Sequence, residues 1–177
     1  MKGLLNGIGP AGFPLSGLTF QHDDHSMTDL KGTDVTWSEI ARRLSEARNY
    51  WLATTRPNGS PHVAPVWGAV VTETLYLYST RETVKAKNLA RDPRAVVHLE
   101  SGDRVCIVHG DIVDRGHPSH QPRILAALAG KYNRAGDQPY LPSNDPSFDV
   151  LYELRPRHVM LWDLEDYETS QLRWARG

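Results

Sequence analysis

The chain has 177 residues, with 20 Lys plus Arg against 21 Asp plus Glu and a formal charge of −1 at neutral pH. That length suits one ordinary domain; a 40% hydrophobic content supplies a packed core and excludes general disorder; and so balanced a charge gives no field to hold the protein on nucleic acid or an anionic membrane. No apolar run reaches the roughly 20 residues that span a bilayer, and the lone Cys106 permits neither an internal disulfide nor a cysteine-built metal cage, as expected of a reducing, cytoplasmic setting.

Residues 1–35 read as a flexible extension ahead of a single domain at 36–177. Glycines, prolines and the polar run from Gln21 to Ser26 interrupt every short apolar stretch, and Lys2 is not followed by the roughly 7–15 apolar residues of a signal peptide. Secretion is therefore not expected. Met27 offers a second start, so residues 1–26 read as an upstream extension. His22 and His25 fit a solvated tail better than a metal site, which needs more ligands.

From Thr36 the pattern becomes regular. Thr36 and Glu39 have capping-box spacing, and Trp37, Ile40, Ala41, Leu44 and Ala47 recur at helical intervals, which predicts a helix ending near Asn49. Residues 50–55 are aromatic and β-branched and predict a strand. Pro57-Asn58-Gly59 forms a turn, because Asn and Gly tolerate positive φ. Strands at 62–71 and 75–79 complete an expected meander. A short helix follows within 80–91, stopped by Asp92-Pro93. Strands at 95–99 and 105–113, a helix opened by Pro118-Ser119 and running to Tyr132, and a long surface loop at 133–147 come next. Two last strands, 149–154 and 158–164, are expected to hinge at Arg155-Pro156. About seven short strands with few helices predict a mainly β, antiparallel barrel or sandwich.

Two stretches carry candidate chemistry. Ser79, Thr80, Lys85, Lys87 and Asn88 lie between a strand and the first turns of a helix, where unpaired backbone N–H groups favour phosphate; the alternative is a solvated basic helix face. Pro65, Val66 and Trp67 form the second. Pro65 removes a ladder donor and confines its strand to an edge or bulge, and Trp67 either flanks a planar ring or belongs to the core. His98 and His109 fall on strand patterns, where satisfied histidines are the rule, and His117-Pro118-Ser119-His120 reads as a loop and cap. No nucleophile–base set, phosphate loop or metal spacing stands out. No catalytic side chain and no metal ligand is therefore assigned, and a bound cofactor is expected to carry the reactive centre.

The runs YWLATTRPNGSPHVAPVWGAV and LYLYSTRETVKAKNLARDPRAVVHLE, then HGDIV and the ending LRPRHVMLWDLEDYETSQLRW, together resemble the pyridoxamine 5′-phosphate oxidase-like split β-barrel family over about residues 36–174. They are closest in look to its flavin- and deazaflavin-dependent oxidoreductases. The resemblance implies an FMN-binding type of split barrel, a homodimer with two cofactor sites at the subunit interface, and hydride transfer to a small conjugated or heterocyclic substrate. By resemblance, Ser79, Thr80, Lys85, Lys87 and Asn88 hold the cofactor phosphate, Pro65, Val66 and Trp67 lie along the ring system, and Arg173 and Trp174 approach from the tail. The Lys-x-Lys-Asn-Leu spacing favours coenzyme F420 over FMN. The family's C-terminal substrate-phosphate arginines have no match here, so oxidation of pyridoxamine phosphate is not expected. The competing class is a non-catalytic flavin- or haem-binding barrel for storage or sensing, with His62, His98 or His109 as a possible axial ligand. Open barrel edges, with Trp51, Trp67, Trp162 and Trp174 in excess of what the core needs, point the same way as the resemblance toward a dimer.

Overall fold

The computed structural model describes residues 35–176. The expected extension at 1–35, with His22 and His25, lies outside the described residues except for Val35, which is buried in the core. Helix α1 (Trp37–Glu46) starts on the predicted capping box: Glu39 N–H donates to Thr36 Oγ1 at 3.3 Å, and Thr36 N–H donates to Glu39 Oε2 at 3.0 Å. Its apolar stripe buries Ile40, Ala41 and Leu44. The helix stops three residues earlier than the periodicity predicts.

Among the described residues, eight antiparallel strands form one curled sheet: β1 (Tyr50–Thr55), β2 (Pro61–Val66), β3 (Gly68–Val71), β4 (Thr74–Ser79), β5 (Arg94–His98), β6 (Arg104–Asp114), β7 (Val150–Asp163) and β8 (Leu172–Ala175). Their order is β2-β1-β5-β6-β7-β4-β3, with β8 added on β7. Helix α2 (Val84–Arg91) bridges β4 and β5, and α3 (Pro122–Lys131) packs on β3. Inside the curl, Ile40, Leu44, Tyr50, Leu52, Leu77, Val97, Val108 and Val159 form the main core. Fully burying an aliphatic side chain such as Leu52 contributes roughly 1.5–3 kcal/mol. A second cluster, with Tyr78, Ile124, Leu128, Tyr132, Leu141 and Leu151, lies beneath α3.

The sheet corrects three expectations. The run at 62–71 is two strands, β2 and β3, which stand at opposite ends of the sheet, so the first strands are no simple meander. The chain crosses at Trp67, and Gly68 permits the crossing: a Cβ there would lie 2.3 Å from the Tyr76 carbonyl oxygen. The expected hinge at Arg155-Pro156 is absent. β7 runs through it, because Pro156 faces a register shift at His109/Gly110, where a missing ladder donor costs little. The segment 133–147 is more than a surface loop: a 3₁₀ turn at Ala135–Tyr140 buries Asp137, and Leu141 enters the second core cluster. β8 was not expected at all. Pro65 does lie on an edge strand, since β2 has a neighbour on one side only.

Candidate functional site

Pro65, Val66 and Trp67, at the end of β2, meet Ser79, Thr80 and Lys85, at the passage from β4 to α2, across a cleft of about 400 Å³. Six of the eight sequence-derived candidates thus share one site, and Tyr78, Thr83, Tyr140 and Phe148 complete its lining. A cavity of that size with apolar walls and a few polar groups is the usual form of a small-molecule site.

The polar end is built by the start of α2. Thr83 is the N-cap, and its Oγ1 accepts from Ala86 N–H at 3.4 Å and donates to the Thr80 carbonyl at 2.9 Å. With that proton committed, Ser79 is the donor in its 3.1 Å contact with Thr83 Oγ1. These hydroxyls hold the turn. The first-turn N–H groups of Val84 and Lys85 have no acceptor within the helix, and the first turn contains no acidic residue. Lys85 is half-buried and, among the described residues, has neither hydrogen-bond nor ion-pair partner; burial pushes its ammonium below the ordinary lysine value. A desolvated cation without a counter-charge is a poor structural element and a good anion contact.

The structure places the other two candidates differently. Lys87 Nζ binds Glu82 Oε2 at 2.9 Å and lines a separate cleft with Arg56, Pro57 and Asn58. Asn88 is buried, and its Nδ2 donates to Thr54 Oγ1 at 3.0 Å, fastening α2 to β1. In this geometry Asn88 holds the helix that presents Lys85.

Aromatic rings make the opposite wall. Trp67 stacks on Tyr132 with centroids 4.2 Å apart and planes 3° apart, and the edge of Tyr140 meets it at 6.2 Å. Phe148 stands edge-on to Tyr78 at 5.1 Å. Arg48 covers Trp67 at 5.6 Å and binds the buried Asp137 at 2.6 Å, which ties the 3₁₀ turn over the cleft. Tyr78 Oη donates to the Tyr140 carbonyl at 2.7 Å and closes the same corner. Tyr78, Thr83, Tyr140 and Phe148 escaped sequence reasoning. Tyr140 fell in the segment expected to be a loop, while Tyr78 and Thr83 lay directly beside the candidate residues Ser79 and Thr80–Lys85, so adjacency and aromatic content were the available signals.

Behind this wall, Lys131 Nζ donates to Tyr50 Oη and to the Gly68 carbonyl, both at 2.8 Å. Burial, with Arg48 nearby, pushes its ammonium down to about 8. Between that value and the ordinary lysine range the unfolded chain holds the extra proton, so stability should rise from about pH 8 to about pH 10. Lys131→Met should abolish that rise, on the order of 1 kcal/mol, in denaturant titrations at successive pH values.

Elsewhere, Cys106 is buried, and desolvation pushes its thiol up to about 12, which leaves it inert. His117 caps a 3₁₀ turn as expected, its Nδ1 accepting from Ser119 N–H at 3.2 Å. His98 is satisfied by the Leu99 carbonyl at 2.8 Å. His109 departs from the expected rule: it stacks on His158 at 4.1 Å, and its buried Nε2 has no partner among the described residues. Trp174 packs on Trp37 at 5.1 Å and lines a different cleft, so within one chain the tail does not reach Lys85. Among the described residues no three His, Cys, Asp or Glu side chains are placed to hold a metal, and no helix is long and apolar enough to cross a membrane.

An antiparallel sheet curled around its main core, opened at a cleft where β2 and β4 part, is a split β-barrel. The family model for pyridoxamine 5′-phosphate oxidase matches residues 36–163, and the chain belongs to that family. Among solved structures it is similar to a conserved hypothetical protein of Mycobacterium tuberculosis, at 26% identity and TM-score 0.64, over 77% of this chain and 89% of that one. It is also similar to an F420 reductase, at 24% identity and TM-score 0.51, over 67% of this chain and 94% of that one. A heme binding protein of Mycobacterium smegmatis aligns at 22% identity and TM-score 0.56, over 73% of this chain and 55% of that one. The last two likenesses show the fold alone. No curated protein matches the chain.

Proposed function

We propose that the protein is an oxidoreductase that binds coenzyme F420, or FMN in its place, in the Lys85 cleft and passes hydride to a small conjugated or heterocyclic substrate. The observation that carries this reading is Lys85 itself, half-buried at the first turn of α2 without a partner, at the foot of a cleft walled by Trp67, Tyr140 and Phe148. A cation at one end of an apolar slot suits a flat ring system with an anionic tail. Lys85 and the free N–H groups of α2 take the phosphate, with Ser79 and Thr80 beside it. Pro65, Val66 and Trp67 lie along the ring. Asn88 fixes the helix, and Lys87 adds positive potential from outside. The bound cofactor supplies the hydride chemistry; the chain supplies position and excludes water. The family membership supports the flavin-type reading, and the Lys85-x-Lys87-Asn88-Leu89 spacing favours the deazaflavin. The working unit is a cytoplasmic homodimer.

The test is reconstitution followed by absorbance. Purified protein incubated with each cofactor, then desalted, should retain a deazaflavin or flavin band, and loss of that band in Lys85→Ala ties it to the cleft. The second reading, a storage or sensing module for a tetrapyrrole, rests on the unpartnered Nε2 of His109. It predicts a Soret band that His109→Ala removes, with no flavin retained.

A further inference from the structure

Three basic side chains gather beside the Lys85 cleft without an acid to balance them. Thr54 and His62 are register partners on β1 and β2, and Thr54 Oγ1 lies 3.5 Å from His62 Nδ1. Asn88 reaches the same Thr54 Oγ1 from α2, so both residues face that helix. Lys85 lies three positions before Asn88, on the same helix face. Arg56 follows Thr54 by two positions, on the same side of the chain as it leaves β1. Arg56 and Lys85 both lie near enough to His62 to repel its charged form, Arg56 from the adjoining cleft that it shares with Lys87. Among the described residues none of the three has an ion-pair partner, whereas Lys87 is paired with Glu82 and most arginines of the barrel with a carboxylate.

We propose that His62 is a proton-linked positioning residue for the anionic end of the ligand: an anion seated at Lys85 draws a proton onto His62, and affinity falls as pH rises through that titration. The proposal rests on the reading of Lys85 as a phosphate contact. Of the elements around His62, the β1–β2 turn brings Arg56, α2 brings Lys85, and β1 brings the uncharged Thr54. Arg91, also on α2, is turned to the Thr55 carbonyl at 2.8 Å. Burial, with repulsion from Arg56 and Lys85, holds the imidazole below its ordinary value while the site is free. An anion reverses the repulsive part. Thr54 Oγ1 accepts from Asn88 and retains a lone pair for Nδ1–H of the imidazolium, so the charged ring has a hydrogen-bond partner waiting. Between the free and the bound titration points the complex holds more protons than its components, and by linkage binding tightens on acidification.

The experiment titrates FMN and coenzyme F420 into wild type, His62→Gln, His62→Arg and Lys85→Ala between about pH 5.5 and 8.5, with calorimetry in two buffers of different ionisation heat to count protons. Comparison with His62→Gln removes any titration of the ligand's own phosphate. Wild type should bind about three- to tenfold tighter at pH 6 than at pH 8 beyond the change seen in His62→Gln, and take up part of a proton. His62→Arg, permanently charged, should keep the acid-side affinity throughout. Lys85→Ala should bind weakly at every pH. Equal pH dependence in wild type and His62→Gln, with binding still lost in Lys85→Ala, overturns the role of His62 and leaves the cofactor site standing. Binding indifferent to Lys85 overturns the phosphate site, and the proposal with it.

Discussion

Replacing Lys85 and Lys87 together with Ala should weaken cofactor binding at least about tenfold, since charge-assisted contacts contribute about 1.5–3 kcal/mol each. The single variants should divide that loss unequally. Lys85 has no competing partner among the described residues, and burial has already removed part of its water; its loss takes away a direct contact. Lys87 is 62% exposed and paired with Glu82, so solvent screens it and Lys87→Ala should change affinity only about twofold. Fluorescence or absorbance titration with FMN and coenzyme F420 measures all three. Unchanged affinity in the double variant would show that the ligand's anion sits elsewhere.

What could be read in the sequence was local. The Thr36/Glu39 capping box, the Asn58-Gly59 turn and the Asp92-Pro93 stop each act within a few residues, and each appears in the structure where expected. Pro65 marked an edge strand because a missing N–H is a strictly local fact. The cleft was half legible for the same reason: the basic helix start and the Pro65-Val66-Trp67 run carry their chemistry in adjacent residues. Its other wall was not. Tyr132 and Tyr140 reach Trp67 only because α3 folds back on β3, and the segment between them is tied by an ion pair between Arg48 and Asp137, 89 positions apart. The break at Trp67 was hidden too, since VAPVWGAVV reads as one continuous apolar run, and the close approach of Gly68 to the Tyr76 carbonyl, which permits the change of strands, is a tertiary contact. Lys87 and Asn88 looked equivalent to Lys85 in sequence. Helical spacing turns Asn88 inward to Thr54 and Lys87 outward to Glu82.

The protein should sediment as a dimer whose cofactor site needs both chains, and a charge placed on the outer face of the sheet should abolish both. That face is written in the register. Trp51, His98, Ile107 and Met160 align across β1, β5, β6 and β7, and Ala53, Val96, His109 and His158 form the adjacent row. All point away from the core and are half-buried. Of the tryptophans that suggested an interface, Trp67 is occupied by Tyr132, Trp174 by Trp37 and Trp162 by the edge of Tyr167, which leaves Trp51, stacked over His98 at 6.3 Å, as the aromatic of this face. His109 Nε2 and Asp111 Oδ1 are buried there without partners among the described residues, an arrangement a second chain would relieve. A ligand held between two chains stabilises the associated state by mass action, so cofactor should lower the dimer dissociation constant. Ile107→Glu would put a carboxylate at the centre of an apolar contact, where an unpaired charge is strongly disfavoured. It should yield a folded monomer at micromolar concentration with cofactor affinity reduced more than tenfold. Sedimentation velocity of wild type and Ile107→Glu, with and without cofactor, makes the measurement, and circular dichroism confirms that the variant keeps its fold. A wild-type monomer that binds cofactor stoichiometrically at low micromolar concentration would refute the shared site.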